Sequence, residues 1–583
     1  MPDLDSLSLG FRQRYLPFSE LESQLFAWQR AFPELVRVTS IGRSVEGRDL
    51  WLMTIGRDPE RTRPAAWVDA NIHASELCGS SVALAIAEDA LRVHLGAAAP
   101  AELPAHLVSL LRDDVLLYVL ARMCPDGAER VLGSARFVRS NPRDRRQGYS
   151  APHWRHEDVD GDGLALLMRR QETSGDYVQS AEFPGLMLPR RIEDPGPYFA
   201  LYPEGFVEGW DGFHVPPPSM LSDNDTDMNR NFPHGWRAEP HQAGAGAFAT
   251  SEPESRAVTE FASAHPEIFA WLSLHTFGGV YIRPSGHLGD KQMDQSDLAL
   301  FHQIAEWGER YAGYPSVSGF EEFTYEPDKP LCGDLAAFAY EQRGAAGFVC
   351  ELWDFWKQAG LEVKRPFVMN YLRRTREDAL TIARWDQAHN AGRIVGKWRA
   401  FEHPQLGAVE VGGYDPRIGI WNPPPERIDE VCQAQARVFL RLAALAPRLR
   451  LLDFAAGDEG SGLTRISGTV ENIGYLPTYV LGVARSLPWN EPVRVEIEPG
   501  PGVELRAGER VRRVGHLEGW GGYHKWSTPV FARSWNDPPR RRVDWVVKGA
   551  GLVRVRAASA RLGAVETAIE VGAGRRAATE APV

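Results

Sequence analysis

The chain has 583 residues, more than one hydrophobic core spans, so two or three domains are expected. Its net charge of −12, with 43% hydrophobic and 24% charged residues, fits a soluble globular protein and argues against nucleic acid as a partner. The basic runs Arg143–Arg146 and Pro538–Val543 are short and read as solvated loops. The five cysteines are sparse and form no CxxC, which argues against a disulfide framework. The first residues lack the basic start and apolar core of a signal peptide, and no stretch is long and apolar enough to span a membrane. A cytoplasmic location is therefore expected.

In chain order, "PFSELESQLFAWQRAFPEL" opens with a Ser-x-x-Glu cap and carries helical periodicity. "VRVTSIG" and "RDLWLMTIG" read as strands around the charged turn "RSVEG". "AAWVDANI" reads as a buried strand running into a loop with His73 and Glu76, followed by the helix-like "SSVALAIAEDALRVHL". "DVLLYVLARMCPDG" reads as a strand ending in a Pro-Asp-Gly turn. "EPESRAVTEFASAHP" reads as a helix, and "IFAWLSLHTF" and "AAGFVCELW" as strands. This alternation predicts an α/β fold with a mixed, partly parallel twisted sheet flanked by helices.

Residues 140–225, rich in Pro, Gly and charge, look like an insertion within a catalytic domain covering 1–420. Residues 421–450 read as a helical connector. Short alternating runs over 451–572 predict a smaller antiparallel β-sandwich, and 573–583 a flexible tail.

His73, Asp126, His275 and Glu351 each end an apolar strand-like run, the edge where sites collect in such sheets. A His-x-x-Glu pair is common on solvated turns, and a histidine in a buried run is by default a satisfied core residue. Together, however, His73, Glu76 and His275 make a His2Glu set, one of the ligand sets of catalytic zinc. "RFVR" (Arg136–Arg139), "DMNRNF" (Asp227–Phe232) and "FVCELW" then complete a pattern.

With "HASE", "CPDG", "RFVR", "DMNRNF", "SLHTF" and "ELW" in this order, the chain resembles the zinc carboxypeptidase family, the carboxypeptidase A-like metallopeptidases. The resemblance runs from about Phe18 to Trp353 and more loosely to Pro447. It implies a single Zn2+ on His73, Glu76 and His275, with Glu351 as general base. It also implies that Arg139 stabilises the oxyanion, and that Asn229 and Arg230 hold the substrate's C-terminal carboxylate. Arg136 would be a second cation along the cleft, and Tyr325 the tyrosine that closes over the substrate.

The expected activity is zinc-dependent removal of a C-terminal residue from a peptide with a free carboxylate. The same scaffold could instead serve an amidohydrolase acting on cell-wall peptides or acylated amino acids, or a non-catalytic peptide-binding protein. Departures from the family include the large insertion, Cys124 before Pro-Asp-Gly, and Glu410, a rival for the base. Gly333, near the family's specificity position, offers no charge and favours an apolar terminal residue. "DVDGDG" resembles the start of a calcium loop through Asp158, Asp160 and Asp162. Arg169, however, stands where such a loop needs a bidentate glutamate, so both a plain turn and a structural cation site fit.

Overall fold

The computed structural model describes residues 3–97, 102–146, 151–218, 226–326, 329–521 and 538–572. The tail expected over 573–583 lies outside the described residues.

The central sheet has eight strands. In spatial order they are Val36–Arg43, Asp49–Ile55, Leu116–Leu120, Ala65–Ala70, Ile268–Thr276, Ala346–Leu352, Val280–Arg283 and Ser316–Ser318. Its middle is parallel: Ala65–Ala70 pairs with Leu116–Leu120 and with Ile268–Thr276, which pairs with Ala346–Leu352. Antiparallel strands flank this middle, so the sheet is mixed, as expected from the sequence. The Ile268–Thr276 strand is buried along its whole length, the pattern of a strand covered on both faces.

One face packs on the Cys78–Leu95 helix and on Ile428–Ala443, with Val82, Ile86, Val431 and Phe439 in a common core. The other face, with Trp67, Trp271 and Leu120, is covered by residues of the Pro125–Ser134 and Pro253–Ala264 helices, among them Val131 and Val258. The helix expected to act as a connector thus sits inside the main core.

Two local expectations fail for clear reasons. The first helix spans Phe18–Ala31 after Pro17, which puts Ser19 inside its first turn rather than at the N-cap, and no side chain caps this end; the Phe18 N–H donates to Glu129 Oε1 at 2.8 Å. Asp126-Gly127 is no β-turn: Pro125 occupies the first helical turn, where its missing N–H costs nothing, and Pro125–Ser134 is a helix.

The insertion pairs with a distant hairpin. Strands Leu167–Gln171, Tyr177–Gln179, Met187–Pro189 and Tyr198–Pro203 join Val395–His403 and Gly407–Tyr414 in one six-stranded antiparallel sheet. Glu410 is fixed here by Arg169 at 2.7 Å, whose guanidinium also stacks on Phe199 and Trp398.

Beyond Leu449 two four-stranded antiparallel sheets enclose Ile466, Val495, Ile497, Trp545, Val547, Val553 and Val555. This separate β region leans on the α/β part: Leu476, Val480, Leu481 and Ala484 belong to the main core. Buried Arg561 donates to the Ile268 and Arg343 carbonyls at 2.9 Å each. All five cysteines are free and buried. Among the described residues no helix is long and apolar enough to cross a membrane.

Candidate metal centre and cleft

The parallel register does the first part of the assembly. His275 and Glu351 are direct partners on adjacent strands, and Leu274 pairs with Ala70 on the other side. Three consecutive strands therefore deliver their carboxyl ends to one place. After Ala70 the chain turns at Asn71, in the left-handed region at φ 62°. The Asn71 side-chain amide donates to the carbonyls of His73, Ala74 and Glu76 at 3.0, 3.1 and 3.3 Å, which fixes the loop carrying the first two candidate ligands.

His73, Glu76 and His275 are buried, and their ligand atoms lie within 4.8 Å of one another. His73 Nδ1 is 2.8 Å from Glu76 Oε1, His275 Nδ1 is 3.1 Å from Glu76 Oε2, and the two Nδ1 atoms are 3.2 Å apart. Bonds of ~2.0–2.1 Å around a tetrahedral zinc place neighbouring donors about 3.3 Å apart. Two imidazoles and a carboxylate at this spacing fit such an ion.

The far nitrogens are engaged as a metal site requires. His73 Nε2 faces Asp227 Oδ1 at 3.2 Å. His275 Nε2 faces Ser273 Oγ at 3.3 Å, and that hydroxyl donates to Asp69 Oδ1 at 2.7 Å. A carboxylate that draws the proton to Nε2 leaves the Nδ1 lone pair for the metal. Asp69 is fully buried and also accepts from the indoles of Trp67 and Trp271 at 2.8 and 2.7 Å. Burial outweighs these three donors and raises its pKa to about 6.

Burial alone would raise the Glu76 carboxyl, but the facing His73 and His275 outweigh it and hold Glu76 well below the usual range. Glu351 goes the other way: burial and the Glu76 charge push it well above the carboxylate range against the pull of Arg139. The two neighbouring carboxyls are thereby shifted in opposite directions. Burial lowers His275 despite Glu76.

Asp227 ties the centre to the cations. Its Oδ2 receives Arg139 Nε at 3.2 Å, and its Oδ1 receives the Asn229 N–H at 2.9 Å. Burial opposes its charge, yet Arg139, Arg230 and His73 keep it well below the normal range. Arg139 also lies 3.8 Å from Glu76, and its carbonyl accepts the Ala74 N–H at 3.0 Å. Gly127 makes this route possible: a Cβ there would lie 2.2 Å from the Ser140 carbonyl oxygen and 2.5 Å from Ala74 Cβ. Asn229 Oδ1 accepts the Leu335 N–H at 2.9 Å, and Arg230 Nη1 donates to the Asn229 carbonyl at 2.7 Å.

A cavity of about 1320 Å³ joins these groups. His73, Glu76, Arg139, Asn229, Arg230, His275, Tyr325 and Glu351 all line it. Tyr325 is 49% exposed at its rim. Leu167, Tyr177 and Tyr202 from the insertion also line the cavity. Arg136 is half-buried and is not among the described residues lining the cavity, whereas Phe137 is. Glu410, held by Arg169, is likewise absent from that lining. Asp158, Asp160 and Asp162 do cluster within 4.8 Å, but Arg399 pairs with both Asp160 and Asp162, and Asp158 accepts the Gly161 and Gly163 N–H groups.

The Asp69–Ser273 relay and the double role of Asp227 escape motif reading. The available signal was an acid inside a wholly apolar strand, four residues before His73, since a charge in such a run needs buried partners. The "RDRR" run is not solvated as a whole: Arg145 pairs with buried Glu252, and Arg146 is buried against Asp144 at 2.9 Å.

The chain is similar to several known proteins. A stretch of 74 residues is 42% identical to carboxypeptidase A6 of Mus musculus, covering 13% of this chain and 17% of that one. A 71-residue stretch is 39% identical to carboxypeptidase D of Drosophila melanogaster, covering 12% and 5%. These stretches thus span less than a fifth of the curated relatives' lengths. Among solved structures, carboxypeptidase A from Helicoverpa armigera superposes with a TM-score of 0.42 at 16% identity, covering 76% of this chain and 77% of that one. A family described as a domain of unknown function matches residues 448–570. The zinc carboxypeptidase sequence model matches residues 21–362, more than half of the chain, so this protein belongs to the zinc carboxypeptidase family.

Proposed function

We propose that the chain is a zinc-dependent carboxypeptidase that removes the C-terminal residue of a peptide. The observation that carries this reading is one cavity lined by a His2Glu donor set, a half-buried glutamate, an arginine beside them, and an Asn–Arg pair. In this reading His73, Glu76 and His275 hold the ion. Zinc, when bound, supplies Lewis acidity towards an amide carbonyl and towards water.

The remaining chemistry belongs to the protein. Glu351 takes a proton from the attacking water and returns it to the leaving amine, a task that suits a carboxyl whose proton affinity is raised by burial. Arg139, held by Asp227, faces the negative charge that develops on the carbonyl oxygen; losing one such donor typically costs ~2.7–4 kcal/mol of barrier. The Arg230 guanidinium and the Asn229 amide, both on the cavity lining, receive the terminal carboxylate, and a planar fork is the matching shape for it. That requirement makes the enzyme an exopeptidase. Tyr325, at the rim, closes over the bound terminus. Ile282, Leu331, Ala336 and Val349 give the cavity apolar walls, which favours an aliphatic or aromatic terminal residue.

Matched peptides with free and amidated C-termini, assayed with and without a chelator, test the proposal. The free acid should be cleaved far faster, and the chelator should stop cleavage. Equal turnover of both peptides would remove the role of Arg230 and favour an amidohydrolase.

A further inference from the structure

A second cluster of metal-ligating side chains lies outside the groups assigned so far. His234, His287 and Glu341 have ligand atoms within 4.8 Å of one another, all three residues being half-buried. His234 Nε2 is 3.0 Å from Glu341 Oε2, and His287 Nε2 is 3.4 Å from Glu341 Oε1. The imidazoles lie side by side, with centroids 5.9 Å apart and planes 36° apart. The separations of 3.0 and 3.4 Å bracket the value of about 3.3 Å between donors of a tetrahedral zinc.

His287 is oriented from behind. Its Nδ1 is 2.8 Å from the hydroxyl of Ser285, which is buried and also accepts the His287 N–H at 3.2 Å. The Nδ1 side is thereby occupied and Nε2 is turned to Glu341, the arrangement that outer partners impose on metal-binding histidines. Two imidazoles with one carboxylate favour zinc-like transition metals over calcium or magnesium, which take oxygen ligands.

Each donor sits close in sequence to a cleft wall residue. His234 follows Asn229 and Arg230, His287 follows Gly286, and Glu341 lies on the helical stretch after Asp334. The first and third of these segments are already joined, because Phe232 N–H donates to the Gly333 carbonyl at 2.9 Å and Leu335 N–H to Asn229 Oδ1.

We propose that His234, His287 and Glu341 form a second binding site for a zinc-class divalent cation, one that staples together three segments of the cleft wall. The first centre and the proposed reaction do not depend on it, and the test separates the two sites. Chelator-stripped full-length protein is dialysed against micromolar Zn2+ at pH 8, and bound zinc is measured by elemental analysis. Wild type should hold two equivalents, Glu341→Gln one, His73→Gln one, and the double variant none. In the His73→Gln background, Zn2+ should still raise Tm, and adding Glu341→Gln should abolish that rise. If Glu341→Gln does not fold, His234→Gln, on a partly exposed loop, should lose the same equivalent. A wild type that binds one equivalent only, and loses it in His73→Gln, would overturn the proposal. So would a second equivalent that survives Glu341→Gln or His234→Gln.

Discussion

Asp69→Asn separates the fold from the metal site because its two expected effects have opposite signs. In the native chain Ser273 donates its only hydroxyl proton to Asp69, so its oxygen can face His275 only as an acceptor, and the imidazole proton stays on Nε2. An asparagine that keeps its carbonyl towards the indoles of Trp67 and Trp271 turns an NH2 towards Ser273. The serine proton is then released to His275 Nε2, and the imidazole proton moves to Nδ1, the atom that faces His73 and Glu76. Losses of such outer partners weaken metal binding by about 10–100-fold.

The fold should respond differently. Asp69 titrates near 4 in the unfolded chain and at about 6 in the folded one, so its contribution is complete below pH 3.8 and is lost as pH rises to about 6. At pH 8 the amide removes a penalty of roughly 3 kcal/mol, from about two pKa units at 1.36 kcal/mol each. Zinc-free Asp69→Asn should therefore unfold at higher urea than zinc-free wild type at pH 8 and show no gain near pH 4. In competition with a chromophoric chelator it should bind zinc more weakly. Ser273→Ala should weaken zinc binding without the gain in stability. Unchanged or tighter zinc binding by Asp69→Asn would refute the relay.

Further outcomes follow from other parts of the molecule. Burial raises the Glu254 carboxyl from 4.5 to about 7, so its support for the fold is full below pH 4.5 and is lost as pH rises to 7. Glu254→Gln should stabilise the protein at pH 8 by up to ~3 kcal/mol and have little effect at pH 4, as read from urea midpoints. Gly127→Ala drives a methyl into the Ser140 carbonyl and Ala74, and should cost about 1–3 kcal/mol of stability. It should also lower kcat, because Arg139 and the His73 loop flank that contact. Deleting residues from Leu451 onward removes Leu476, Val480, Leu481 and Arg561 from their places against the main core. The truncated chain should be insoluble, and a soluble, active one would contradict the packing. Arg230→Lys keeps the charge but loses the fork, and should raise KM for free-acid peptides far more than it lowers kcat.

The parallel core was legible because its strands are mostly apolar runs, and the candidate ligands stand where those runs stop. His73, His275 and Glu351 therefore announced a shared edge before any contact was known. The six-stranded sheet was not legible. Leu167–Gln171 pairs with Gly407–Tyr414 across more than two hundred residues, and one of its contacts, Arg169 with Glu410, joins charged residues that in sequence look merely solvated. The same holds for the Asp69 relay, where a single acid in an apolar strand makes sense only once Trp271 and Ser273 arrive from the neighbouring strand. Local signals misled where one residue outranked another: Pro125 started a helix where Asp-Gly suggested a turn, and Pro17 set a helix start ahead of Ser19.

The central claim is that one zinc held by His73, Glu76 and His275 works with the Glu351 carboxyl. The most direct measurement is zinc content together with peptide turnover for Glu351→Gln and His73→Gln. Glu351→Gln should keep the zinc of the first centre and lose nearly all turnover, while His73→Gln should lose both that zinc and turnover. Full activity in Glu351→Gln, or undiminished zinc at the first centre in His73→Gln, would contradict the account.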